Sequence, residues 1–189
     1  MTREEKILAA AEELFFERSF DGVGVDEIGK AAGTTGSAIY RHFPSKDAIL
    51  AALFDKALDT FLVRLGEPDE DPTAELNKLV RAFVGIAENH ERLVSIMLRE
   101  QRSLAPRDRR EHDRRRRRIN QRWIDCLKRS YPDRSIDEII TATRGIQLLL
   151  VSDALRPPGA RAARQAEELL AQMALASARA LQPERSAKR

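Results

Sequence analysis

Apolar positions recur along this chain at the 3.6-residue spacing of helices. Ile7, Leu8, Ala11, Leu14 and Phe15 form one stripe, which predicts a first helix with a single buried face. Asp21-Gly22 ends it with turn chemistry. The spacing then predicts a short helix over about 25–32, with Ile28 and Ala31 or Ala32 inward. A left-handed stop at Gly33 follows, then a third short helix over about 36–43 capped by Thr35. Pro44 breaks that helix. Ser45 is a good N-cap for a fourth, which carries Ile49, Leu50, Leu53, Phe54, Ala57, Leu58, Phe61 and Leu62.

Gly66-Glu-Pro-Asp-Glu-Asp-Pro72 is the clearest break, acidic and with two prolines. Beyond it, the pattern predicts helices at about 73–89, 91–104, 107–130, 136–156 and 160–181, with Tyr131-Pro132-Asp133 and Pro157-Pro158-Gly159 punctuating the last three. Strand-like alternation and internal repeats are absent. The fold class is therefore all-α with about nine helices. Helix 8 carries Ile139, Ile140, Ile146, Leu148, Leu149, Leu150, Val151 and Leu155, wider than one stripe. Helix 9 carries Ala162, Ala166, Leu169, Leu170, Met173, Ala174, Ser177 and Leu181, whose small members permit close packing. One face of each can meet its own chain and the other a second copy, which predicts a four-helix dimer interface.

Composition narrows the class. Of 189 residues, 42% are apolar and 33% charged, as in a soluble globular protein. No apolar run approaches the roughly 20 residues of a membrane span, and Met-Thr-Arg-Glu-Glu-Lys lacks the apolar core of a signal peptide. A lone cysteine, Cys126, cannot form an internal disulfide, so a reducing cytoplasm is the expected setting. Catalysis finds no support: His42, His90 and His112 lack metal-ligand spacing, Cys126 has no evident His partner, and neither a phosphate loop nor a Gly-x-Ser-x-Gly elbow occurs. No cofactor is expected. Charge is uneven: residues 1–65 hold 8 Lys/Arg against 11 Asp/Glu, whereas residues 101–130 hold 12 against 4.

Two short helices joined by a tight glycine-containing turn make a helix-turn-helix, whose second helix enters the DNA major groove. On that helix Ile39 and Phe43 are four apart and face the core, while Ser37, Tyr40 and Arg41 share another face with Ala38 beside them. A hydroxyl, a phenol and a guanidinium reach base edges or phosphates, and the Ala38 methyl can touch a thymine methyl. Lys46, in the first turn of helix 4, is expected to place its ammonium on a phosphate. The acids of helix 1 (Glu4, Glu5, Glu12, Glu13, Glu17) are expected to face away.

The run Val25-Asp-Glu-Ile-Gly-Lys-Ala-Ala-Gly-Thr-Thr-Gly-Ser-Ala-Ile-Tyr-Arg-His-Phe-Pro-Ser-Lys-Asp-Ala-Ile-Leu50 resembles the N-terminal domain of TetR/AcrR-type bacterial transcriptional regulators. The helix 1 pattern Ile7–Phe15 and Phe20-Asp-Gly22 also fit, so the resemblance covers about residues 3–62. It implies a helix-turn-helix DNA-binding domain at 1–46 (motif about 24–43) with helix 4 as connector, a ligand-binding and dimerisation domain at 47–182, and a frayed tail at 183–189. It also implies a homodimer that binds double-stranded DNA at a palindromic operator and releases it when a small molecule enters the C-terminal domain. By position, Thr35, Gly36, Ser37, Ala38 and Tyr40 face the groove, and Arg41, His42 and Lys46 contact or lie near the backbone. Three departures matter. Gly36 stands where many members carry a polar or basic side chain, Ala38 where Thr or Ser is common, and Gly24 and Gly29 replace a Thr/Ser cap and a small Ala.

A mostly apolar effector is expected among helices 4 to 8, with Phe83, Ile86, Leu93, Met97, Ile119, Trp123 and Leu127 as lining or ordinary core. The run Arg114–Arg118 covers every face of its helix. Either one or two of its arginines turn inward beside His112, where a fatty acid or acyl-CoA would suit them, or the run is a solvated face paired with Asp108, Glu111 and Asp113. Two other functions stay open: an architectural DNA-binding protein without effector, and an activator, since promoter geometry decides between activation and repression.

Overall fold

The computed structural model describes residues 1–155 and 165–182. Among them the chain forms nine α-helices and two 3-10 turns. The predicted start of helix 9 at 160–164, Pro157-Pro158-Gly159 and the 183–189 tail lie outside the described residues. The helices are α1 (Arg3–Arg18), α2 (Val25–Ala31), α3 (Gly36–Ile39), α4 (Lys46–Leu65), α5 (Pro72–Asn89), α6 (Glu91–Glu100), α7 (Pro106–Ser130), α8 (Ile136–Leu150) and α9 (Ala166–Arg179).

Their ends follow local chemistry. Thr2 and Glu5 close a reciprocal capping box on α1: the Glu5 amide donates to Thr2 Oγ1 at 3.1 Å and the Thr2 amide to Glu5 Oε2 at 2.7 Å. Ser135 and Glu138 do the same for α8. Ser45 accepts from the Ala48 amide at 3.1 Å, as expected of its cap on α4. In the acidic break, Asp71 accepts from the amides of Thr73 and Ala74 and so starts α5.

The helices group into two compact units. One comprises Met1–Thr60 with His90–Arg116, the other Phe61–Asn89 with the chain from Arg117 onward. This differs from the expected division at 46/47, and the reason is long-range burial. Leu93, Ile96 and Leu104 lie in the same core as Phe15, Phe20, Ile28, Ile39 and Phe54. Arg99 donates to the carbonyls of Phe15 and Phe16 at the end of α1, and the buried Glu100 carboxylate accepts from the Phe20 amide at 3.3 Å. The segment after α5 thus supplies the C-terminal cap of α1.

In the second unit, Phe61, Phe83 and Trp123 form an edge-to-face ladder with ring centroids 4.7 and 5.3 Å apart. Glu75, only 1% exposed, is held by Arg122 and by the Asp69 amide. α9 packs on α5 and α8 through Ala171, Ala174 and Ala178, all fully buried, so its small residues do allow close packing. α8 buries one stripe, Ile139, Thr143, Ile146 and Leu150. Its second apolar face has no cover from the described residues: Ile136 and Leu148 are more than half exposed, as is Leu169 on α9.

Candidate nucleic-acid interface

The turn between α2 and α3 is built by two glycines with different tasks. Gly33 has φ +67°, the left-handed conformation that ends α2. The Thr34 amide then donates to the Gly29 carbonyl at 2.8 Å. At Gly29 the demand is space. A Cβ there would stand 2.7 Å from the Gly36 nitrogen and 2.8 Å from the Thr35 carbonyl carbon. The glycine therefore lets α3 lie directly on α2, whereas by propensity alone it only loosens a helix. Gly24, the other departure, lacks a capping side chain, but Glu27 accepts from its amide at 2.9 Å. The Gly24 amide and the Arg18 guanidinium hold the Glu27 carboxyl below the usual range.

α3 is shorter than the sequence predicts. Regular helix stops at Ile39, and residues 40–42 turn through Arg41 N to Ala38 O and His42 N to Ile39 O bonds. Pro44 lies just beyond, and the residue before a proline is pushed out of helical geometry. The division of faces is kept. Ile39 and Phe43 are buried in the first unit's core, while Thr35, Ser37, Tyr40, Arg41 and His42 are exposed or half-exposed and Ala38 is half-buried. Tyr40 is 56% exposed. Thr35 Oγ1 accepts from the Ala38 amide at 3.2 Å, as expected of a cap, and lies 3.0 Å from Ser37 Oγ.

Three expected roles come out differently. Gly36 is buried, not outward, because the Asp26 side chain lies over it; a Cβ at Gly36 would run into Asp26 Oδ1. Lys46 is turned inward: its ammonium donates to the carbonyls of Phe20 and Val23 at 2.9 and 3.1 Å. Two of the three N–H donors expected to serve a phosphate are thus taken by the loop after α1. Glu4 does not face away from the site, since its Oε1 lies 3.4 Å from His42 Nδ1. Glu12 and Glu13 do have partners elsewhere, Lys56 and Arg92. Arg41 has no intramolecular partner among the described residues.

The expected effector-lining residues divide between the units. Leu93 and Met97 pack in the first, and Phe83, Ile86, Ile119, Trp123 and Leu127 belong to the second. In the arginine run, only Arg114 with Glu111 forms an expected pair, at 2.8 Å. Arg115 instead forks onto Asp55 and Asp59 of α4, two carboxylates one helical turn apart. The inward residue is His112, 4% exposed, edge-on to the Phe54 ring with centroids 5.1 Å apart. Its Nδ1 has no hydrogen-bond partner among the described residues. Burial pushes its pKa below the ordinary 6.5, and the Arg116 charge pushes it the same way.

The chain matches the model of bacterial regulatory proteins of the tetR family over residues 7–53. It matches the tetracyclin repressor-like C-terminal domain over residues 69–178. The HTH-type transcriptional regulator EthR of Mycobacterium tuberculosis is 37% identical over 70 residues, 37% of this chain and 32% of EthR. The regulator YvdT of Bacillus subtilis is 34% identical over 94 residues, 48% of each chain. The chain thus aligns with about a third to a half of these curated relatives. Among solved structures, PfmR of Thermus thermophilus superposes with a TM-score of 0.78 at 26% identity, over 94% of this chain and 99% of that one. AibR, in complex with isovaleryl coenzyme A and operator DNA, superposes with a TM-score of 0.75 at 22% identity, over 92% and 96%. Two family models in chain order, covering the helix-turn-helix and the helical body, make the assignment: the chain belongs to the TetR family of helix-turn-helix transcriptional regulators.

Proposed function

We propose that this chain is a cytoplasmic, homodimeric repressor that binds a palindromic operator and is released by a small, mostly apolar effector. One observation carries the DNA-binding reading. Along residues 35–43, Ile39 and Phe43 are buried while Tyr40 and an unpaired Arg41 project outward. A structural turn has no need of an exposed tyrosine and a free guanidinium side by side; a groove and a phosphate use both. Thr35, Ser37 and Ala38 complete the surface, with His42 at its edge beside Glu4. The test is fluorescence anisotropy with duplex DNA selected by the purified protein. Tyr40→Ala and Arg41→Ala should each weaken binding at unchanged melting temperature. If both leave affinity intact, the interface is elsewhere.

The dimer reading rests on Leu169 and Met173 of α9, four residues apart and 53% and 44% exposed, together with the bare face of α8. Sedimentation should give a dimer at micromolar concentration, and Met173→Glu a monomer. The effector reading draws on AibR, whose complex holds an acyl-CoA. With Arg115 already forked onto two aspartates, an acyl chain is favoured over an anionic head as the recognised part. Titration of isovaleryl and longer acyl-CoAs against bound DNA tests it; no release at saturation removes this effector class.

A further inference from the structure

We propose that Asp26 of α2 reads a base edge through the gap left by Gly36 and selects a cytosine in each half-site. This rests on the DNA-binding reading above and adds a residue from outside α3.

The two acids at the start of α2 have different fates. Glu27 is fully used, accepting from the Gly24 amide and pairing with Arg18 at 2.6 Å. Asp26 is exposed and has no hydrogen bond or ion pair among the described residues. Its position is unusual because of Gly36. A Cβ on that glycine would collide with Asp26 Oδ1 and come within 3.0 Å of its Cγ and 3.1 Å of its Cα. The Asp26 side chain therefore lies where any other residue at position 36 would begin its own. It lies over Gly36, whose chain neighbours Thr35 and Ser37 are exposed, as is Tyr40 further along the same segment. A carboxylate has taken the place of a side chain rooted in α3.

The chemistry then selects the ligand. An ionised carboxylate only accepts hydrogen bonds, and a phosphate offers it none and repels it. In the major groove, the donors are the amino groups of cytosine and adenine. On adenine the N6 amine sits beside the N7 acceptor, which opposes the second carboxylate oxygen. Cytosine N4 has no such acceptor on its own base. Cytosine is thus the matched partner. The same charge also penalises DNA that offers only phosphates at this point, so it works against non-specific binding as well.

The test is selection from a random duplex library with the full-length protein, its Asp26→Asn and Asp26→Ala variants, and melting curves for all three. Asp26 is exposed and unbonded, so the melting temperatures should agree. Wild type should show one symmetric position per half-site with a cytosine preference of about fivefold or more. Asp26→Ala should lose that preference. Asp26→Asn should move it toward adenine, because a carboxamide offers both a donor to N7 and an acceptor to N6. A merely structural Asp26 gives the same motif in all three proteins, and that result overturns the proposal while leaving the operator reading intact. If wild type selects no motif, both fall together.

Discussion

Lys46 and Phe20 are joined twice. The ammonium donates to the Phe20 carbonyl at 2.9 Å, and the same nitrogen stands 4.1 Å from the Phe20 ring centroid. With Val23 O as a third contact, the lysine fastens the loop between α1 and α2 onto the first turn of α4. A lysine that reached for phosphate would behave differently when removed. Lys46→Met should lower stability by about 1–3 kcal/mol, because two carbonyls lose a charged donor and the cation–π contact goes. Urea denaturation measures this. The salt dependence of DNA binding should keep its slope; a slope shallower by about one would restore Lys46 as a phosphate contact.

Gly29→Ala sets two effects against each other. In an exposed helix interior the change would gain up to about 1 kcal/mol of propensity. Here the new methyl meets backbone atoms of Thr35 and Gly36 at 2.7–2.8 Å, and backbone does not swing aside as a side chain does. Steric conflict should win, with a net loss of about 1–3 kcal/mol. DNA affinity should fall too, since α3 must lift from α2. A variant melting at or above wild type would contradict the close approach.

The Glu75–Arg122 pair should announce itself in acid. Burial alone pushes the Glu75 carboxyl up. The hydrogen bonds from Arg122 and the Asp69 amide, with the charges of Arg122 and Lys78, outweigh it and leave the pKa below the ordinary 4.5. The folded state thus favours the ionised form, a stabilisation present above about pH 4.5 and lost as pH falls through the depressed value. Glu75→Gln should cost roughly 3 kcal/mol at pH 7, as Arg122 is left with a neutral partner. Its stability deficit should shrink toward pH 3, measured by urea midpoints at each pH.

His112 sets an earlier step in the same acid profile. Its folded pKa lies below 6.5, so the neutral ring is the folded form. That contribution is complete above about pH 6.5 and declines as pH drops through that value. His112→Phe keeps an aromatic edge for Phe54 and removes the buried unpaired nitrogen. It should flatten the stability change between about pH 7.5 and 5.5; a slope equal to that of wild type would assign the step to another group.

Much of the fold is local and therefore legible. The Ile7, Ala11, Phe15 stripe, the caps at Thr35 and Ser45 and the stop at Gly33 depend on neighbours within a few residues, and they lie where periodicity and cap chemistry put them. The site is legible in its faces, with Ile39 and Phe43 inward and Tyr40 and Arg41 outward. What escapes is set by residues distant in the chain. The direction of Lys46 depends on carbonyls 26 and 23 positions upstream. The burial of Gly36 depends on an aspartate of the preceding helix. The pairing of Arg115 depends on two carboxylates of α4, 60 and 56 residues away. No pattern within one helix encodes such meetings.

The end of α1 is closed by Arg99 and Phe20 is tied to Glu100, so the reading head is finished by a stretch that arrives 80 or more residues later. A chimera that transplants only α1 to α4 onto another family member's body inherits an unfinished head. Its binding would then depend on whether the recipient happens to offer an arginine and a carboxylate at the matching places. To transfer DNA preference between relatives, the donor must bring α6 along, because Arg99 and Glu100 belong to that helix.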